Sequence, residues 1–187
     1  NTVDKEVLKI LKAMGCRTIA YGVESGDPGI LGKLDKKITV EQIKTAFKWA
    51  EEASINTVGF FMVGNPVETE REIKNTIKLI RNINPDYFIA NILIPYPGSR
   101  LYSDMLQNGD LKEDYWKRVT VEGKASPTPL ANSKVSQDRL IRMRNYINRM
   151  PYARLKSNVL KFRKIRSFYD IKRSFNTLKT SFFDKAL

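Results

Sequence analysis

Three short apolar runs in this chain end in polar residues framed by glycine or proline: "VESGDPG", "VGNPVET" and "IPYPGS". The first presents Glu24 and Ser25 between Gly22 and Gly26. A carboxylate and a hydroxyl placed there can hydrogen-bond the hydroxyl and amino groups of a ligand, and glycine lets backbone come close to it. The second run carries Val63, Gly64, Asn65 and Glu68, and the third carries Ile94, Pro95 and Tyr96. Glu68 stands just before a helical pattern, where a carboxylate favours the positive helix end, so we expect it to serve that end. Each run alone reads more readily as a plain turn. Three in series predict one shared mouth, with Glu24 and Ser25 facing it.

The elements that position these ends follow from periodicity. Val3, Leu8, Ile10, Leu11 and Met14 have helical spacing, with Asp4 as a cap residue and Gly15 as a left-handed stop. "CRTIAYGV", "INTVGFFMV" and "DYFIANILI" are apolar runs of strand length. "GDPGILGKLDKK" carries turn chemistry. "TVEQIKTAFKWAEEA" opens with a Thr39/Gln42 capping box and turns Val40, Ile43, Phe47 and Ala50 to one side. "ETEREIKNTIKLIRNI" places Ile73, Ile77 and Ile80 together, and "GSRLYSDMLQNG" is a short helix ending at Gly109. Strand and helix alternate, which implies parallel strands joined by helical crossovers. The strand ends are expected at Val23, Val63 and Ile94. Parallel α/β sheets bind ligands at such carboxyl ends.

The 187 residues, 42% hydrophobic and 28% charged, suit one domain with a real core. No apolar run has the roughly 20 residues that a membrane span requires. There is no histidine, which removes Ser-His-Asp and Cys-His catalysis and any His-ligated zinc. One cysteine, Cys16, excludes a disulfide framework, and we expect a cytoplasmic protein. The chain opens on Asn1 without an initiator methionine or a signal-type segment, so we expect it to be part of a longer protein. Residues 134–187 hold 15 Lys/Arg against 3 Asp/Glu, so nearly all of the net charge of +13 lies there. Three regions result: 1–109 as an α/β half barrel, 110–133 as a loop, and 134–187 as a basic helical extension.

The stretch from "GCRTIAYGVESGDPGILGKLDKK" through "FFMVGNPVET" to "ILIPYPGSRLYSDM" resembles the second half of the catalytic barrel of radical S-adenosylmethionine (SAM) enzymes. The similarity is to the group that often carries a cobalamin-binding domain before the barrel, with its cyclases and methyltransferases. It covers about Val3 to Leu106, and more loosely "NYINRMPYARLKSNVLK". The resemblance implies a partial (β/α) barrel, here half of a TIM-like barrel with about three parallel strands. It implies that Glu24 and Ser25 meet the ribose and amino-acid part of SAM. Val63 and Gly64 would pack against the adenine, and backbone at Ile94, Pro95 and Tyr96 would meet the adenine amino group. Two positions depart from the pattern: Asn65 replaces a bulky apolar residue and Val67 replaces glycine.

The family's CxxxCxxC loop, which holds a [4Fe–4S] cluster, is absent, and Cys16 alone cannot hold one. Cys16 is expected to be a small buried hydrophobe. No residue is assigned a catalytic or metal-ligating role. The resemblance therefore implies a fragment of a radical SAM Fe–S oxidoreductase or methyltransferase, inactive alone. SAM and the cluster, and cobalamin in members with that domain, belong to the full-length parent. The implied partners are the missing N-terminal half of the barrel, a cobalamin-binding domain, and a small-molecule or lipid substrate. We expect the open sheet to be covered by the tail helices or by a second copy in a dimer. A different class is a non-enzymatic module: the tail interleaves Arg and Lys with Phe and Tyr, which suits nucleic acid or an anionic membrane surface as well as packing on the barrel. A third, a barrel hydrolase using Glu24 and Glu68, has no matching pattern.

Overall fold

The computed structural model describes residues 3–111, 114–123 and 129–155, the last five as backbone. It forms two units, Asn1–Arg149 and Met150–Leu187. Of the second, the described part is the end of a helix. The basic tail beyond residue 155 lies outside the described residues.

The first unit opens with α1 (Lys5–Ala13), capped by Asp4, whose carboxylate accepts from the Val7 N–H at 2.8 Å. Gly15 ends it in the left-handed region, at φ +91°. There follow β1 (Thr18–Glu24), α2 (Pro28–Lys33), α3 (Val40–Glu52), β2 (Asn56–Val63), α4 (Glu70–Ile83) and β3 (Tyr87–Ile92). Then come α5 (Arg100–Gln107), α6 (Tyr115–Glu122) and α7 (Gln137–Leu155). The three strands make one parallel sheet in the order β1-β2-β3, as the alternation of strands and helices predicts. The Thr39/Gln42 capping box is present, with bonds of 3.2 and 2.8 Å.

Three boundaries differ from the sequence reading. "GDPG" starts the short helix α2 because Asp27 caps Gly29 and Ile30 (2.9 and 3.2 Å) and Pro28 occupies the first turn. The segment 110–133, expected as a loop, contains α6, capped by Asp114 and stopped by Gly123 at φ +66°. The third strand ends at Ile92, two residues early, before the "PYPG" turn.

Alternation divides the sheet into two faces. Tyr21, Phe61, Val63, Phe88 and Ala90 share the packed face: Tyr21 tilts against Phe47 of α3 at 4.9 Å, and Phe61 meets Phe88 edge-on at 6.4 Å. At its lower end Leu8, Ala50 and Ile55 form a buried cluster against which Cys16 packs, half-buried where a buried position was expected. The opposite face is open. Gly22, Phe60 and Ile89 stand in register across it, with Phe60 43% and Ile89 49% exposed.

The outer edge of β3 is not bare. Leu140 and Ile147 of α7 are fully buried, and Arg139 makes a forked ion pair with Glu70 at 2.8 and 2.9 Å. Asn148 then does what a neighbouring strand would. Its Oδ1 accepts from the Ala90 N–H (2.8 Å) and its Nδ2 donates to the Ala90 carbonyl (2.9 Å). Asn148→Ala leaves both buried backbone groups unpaired. It is expected to cost about 2 kcal/mol in urea denaturation; an unchanged midpoint would refute this role.

Candidate functional site

Glu24 closes β1 in an unusual backbone state, at φ +67°, where the β1–β2 register also shifts. This region costs a non-glycine residue on the order of 1 kcal/mol. The result is a side chain turned back along the open face. A Cβ added at Gly22 would lie 3.0 Å from Glu24 Oε1, so the glycine makes room for the carboxylate. Lys36, from the segment after α2, pairs with that oxygen at 3.2 Å and reaches the Gly22 carbonyl at 3.4 Å. The Glu24 side chain remains 18% exposed at the carboxyl end of the sheet. Sequence reasoning missed Lys36; its partner lies 12 residues away with no periodicity to link them.

Ser25 is placed differently. It is fully buried, its hydroxyl 3.2 Å from Thr76 Oγ1 on α4 and accepting from the Asp27 N–H at 3.1 Å. The Gly26 N–H donates to the same Thr76 oxygen at 2.9 Å. The pair "SG" thus fastens the strand-end turn onto α4, while Glu24 alone faces the opening. Asp27, beyond capping α2, accepts from Asn75 at 2.9 Å and adds a second tie to α4.

At the end of β2, Val63 is fully buried on the packed face, and Met62, half-buried, occupies the open one. Gly64 takes φ +89°, which glycine tolerates, and turns the chain over the sheet end. Glu68 is not at the helix end. Thr69 caps α4 and Glu72 completes a second capping box, its carboxyl held at about 2 by the Thr69 hydroxyl and N–H and by Arg71. Glu68 lies fully buried one residue earlier and folds back, accepting from the Gly64 N–H at 2.6 Å and the Asn65 N–H at 3.2 Å. Burial pushes its carboxyl up to about 7; the two backbone donors oppose this, and the charges of Glu72 and Asp27 add to it. Its second oxygen, Oε1, has no partner among the described residues. Asn132, in the strap leading to α7, donates to the carbonyls of Asn65 and Glu68 and locks the turn from above. The departures at Asn65 and Val67 also find reasons. The Asn65 side chain accepts from the Val67 N–H at 3.3 Å, and Val67 is exposed with an ordinary backbone.

At the end of β3, Leu93 N donates to the Val63 carbonyl at 2.8 Å, which carries the pairing one step past the strand. The Pro95 carbonyl accepts from Trp116 Nε1 at 2.8 Å, and the Tyr96 carbonyl accepts from the backbone and hydroxyl of Ser99. Among the described residues, the Ile94 carbonyl alone of these three carries no such bond. Parallel register thus aligns the ends bearing Glu24, Met62–Gly64 and Ile94 along one edge of the sheet. It leaves Ser25 and Val63 behind in the core. The arrangement can offer a carboxylate paired with an ammonium, an apolar side chain, and free backbone polar groups. Among the described residues, no group of three His, Cys, Asp or Glu side chains could hold a metal ion. Cys16 precedes β1, at the sheet end opposite these residues.

In comparison with known proteins, residues 1–80 match the radical SAM superfamily. The match covers 80 of the 187 residues. An uncharacterised methyltransferase of Pyrococcus horikoshii is 37% identical over 120 residues, covering 64% of this chain and 26% of that protein. The anaerobic magnesium-protoporphyrin IX monomethyl ester cyclase of Rubrivivax gelatinosus is 28% identical over 102 residues, 54% of this chain and 18% of that protein. Among solved structures, the radical SAM methyltransferase TsrM of Kitasatospora setae, with cobalamin and a [4Fe–4S] cluster bound, is 20% identical. It superposes with a TM-score of 0.46 over 49% of this chain and 18% of that one. The chain thus spans about a quarter or less of the length of these relatives. Its single, half-buried cysteine, whose Sγ lies 3.5 Å from the Thr18 carbonyl, does not fit a thiolate-ligated cluster.

Proposed function

We propose that this chain supplies the ribose- and adenine-facing part of a SAM site, and that the cluster is held by polypeptide outside these 187 residues. On this reading the chain alone does not cleave SAM. The observation that carries it is the Glu24 carboxylate, held on the open face of the sheet at the strand ends by a strained backbone, a Gly22 gap and Lys36. Glu24 accepts from ribose or amino groups, and Lys36 fixes its position. Met62 supplies the apolar contact in place of Val63, because it alone of the two lies on the open face. Gly64 and Ile94 contribute backbone, while Ser25, Pro95 and Tyr96 hold the frame through their own internal bonds. SAM, when bound in radical SAM enzymes, supplies a carbon-centred radical or a methyl group. Here the protein's task is to orient the adenosyl group.

The relative named as a magnesium-protoporphyrin IX monomethyl ester cyclase supports a reaction on a small molecule by the whole protein. A cobalamin-binding domain rests on the sequence resemblance. The apolar open face, with Phe60 and Ile89, supports the rest of a barrel or a second copy as its cover. No helix among the described residues is long and apolar enough to cross a membrane.

Nuclear magnetic resonance titration of the chain with 5′-deoxyadenosine tests the proposal. Saturable shifts are expected at the amides of Gly22, Glu24, Met62, Gly64 and Ile94. Glu24→Ala is expected to weaken binding about tenfold, the loss of one charge-assisted hydrogen bond. Shifts confined to another surface, or equal affinity for the variant, would sink it.

A further inference from the structure

Tyr96 is 56% exposed, yet its ring is among the most firmly held features of the strand-end surface. Its inner face stacks on Trp116, with centroids 5.3 Å apart and planes 26° from parallel. Trp116 is pinned in turn: its Nε1 donates to the Pro95 carbonyl at 2.8 Å, and Tyr115 meets it edge-on at 5.1 Å. The start of α6 that carries both rings is tied down as well. Asp114 accepts from the Lys117 N–H at 3.0 Å and from the hydroxyl of Tyr102, whose ring is buried on α5. The main chain of Tyr96 is equally fixed, because its carbonyl accepts from Ser99 N and Oγ at 3.1 and 2.6 Å and two prolines flank it. Two helices and three further rings thus hold one aromatic face open, at the carboxyl edge where Glu24 and Gly64 also lie.

A ring left exposed by accident would cost nothing to leave mobile. One fixed from behind loses little entropy when a second ring stacks on its front. We propose that the free face of Tyr96 is a stacking platform for a planar conjugated ring in the substrate. Tyr96 is then a specificity-determining residue outside the adenosyl contacts. The inference rests on the proposed reading of the strand ends as a binding mouth. The chemistry it names is a flat π-system, which a tetrapyrrole macrocycle and a nucleobase share. Stacking tolerates differences in ring substituents, so Tyr96 selects flatness and size and leaves finer recognition to other groups.

The test uses the 187-residue chain carrying Trp49→Phe, so that Trp116 is the one tryptophan and reports on its own stack. Protoporphyrin IX stands for the macrocycle and guanosine for the nucleobase, each titrated against Trp116 fluorescence. Saturable quenching by one of them is expected, and its identity assigns the ring class. Tyr96→Leu is expected to weaken that binding about tenfold with an unchanged melting temperature, and Tyr96→Phe to preserve it. Equal affinities for Leu and Phe at position 96, or no saturable quenching by either probe, would overturn the proposal. Glu24→Ala separates the two readings. It is expected to leave the ring probe bound and to reduce 5′-deoxyadenosine binding, so either result can fail without the other.

Discussion

Gly26→Ala is expected to destabilise the folded chain by about 3 kcal/mol, at the upper end of what overpacking costs. The reason is backbone. A Cβ at Gly26 would lie 2.6 Å from Thr76 Cα, 2.7 Å from the Asn75 carbonyl oxygen and 2.8 Å from Leu79 Cβ, all on α4. No rotamer change relieves a contact with main chain, so α4 must withdraw from the β1 turn. That withdrawal breaks the bonds from Ser25 and Gly26 to Thr76, which tie the Glu24 strand end to the helix. Gly32→Ala is the control. Gly32 lies in α2 with open space around its Cβ position and without a positive φ, so alanine there is expected to be neutral or stabilising by about 0.5 kcal/mol. Urea denaturation of both variants decides the matter, and equal shifts would show that the close approach of α4 is not what requires glycine.

The second large effect depends on pH. Burial raises the Glu68 carboxyl to about 7 from an ordinary 4.5. Between those values the folded chain keeps a proton that the unfolded chain has released. The contribution of Glu68 to stability is therefore fully present below pH 4.5, is lost as pH rises towards 7, and stays lost above it. Over pH 5 to 8 the loss is about 2.5 kcal/mol. Glu68→Gln keeps an acceptor for the Gly64 and Asn65 N–H groups but does not titrate. The stability difference between wild type and Glu68→Gln is expected to move by that amount in favour of the variant between pH 5 and pH 8. The Glu72 carboxyl, held near 2, acts only below this window and works in the opposite sense. Parallel stability curves for the two proteins would contradict a titrating, buried Glu68.

Much of this architecture was legible from residue types. Helical spacing and the Thr39/Gln42 capping box located α1, α3 and α4, because those signals depend on residues three or four apart. The polar endings of three apolar runs located the carboxyl ends of the three parallel strands. Other features were beyond that range. Ser25 and Glu24 are adjacent and both polar, yet one is sealed against Thr76 and the other faces the open sheet. The left-handed backbone at Glu24, just past the register shift that ends β1, sets them apart. Val63 and Met62 are adjacent and apolar, and the strand's pleat alone decides which of them faces outwards. Glu68 read as a helix-end carboxylate because it stands just before a helical pattern; the fold gives Thr69 the cap and turns Glu68 back onto Gly64.

By itself the sequence determined the alternation of strand and helix, the parallel sheet that follows from it, the three glycine- and proline-framed ends, and the impossibility of a cluster with one thiol. These are consequences of composition and short-range spacing. Tertiary structure alone decided which side chains at those ends face the open side of the sheet and which hold the frame. It brought Lys36 to Glu24, Thr76 to Ser25, Asn148 to Ala90 and Trp116 to Tyr96. Each of these partners is separated in sequence by 12 residues or more. Such contacts are chosen by packing of the whole sheet against its helices, and no local pattern encodes them.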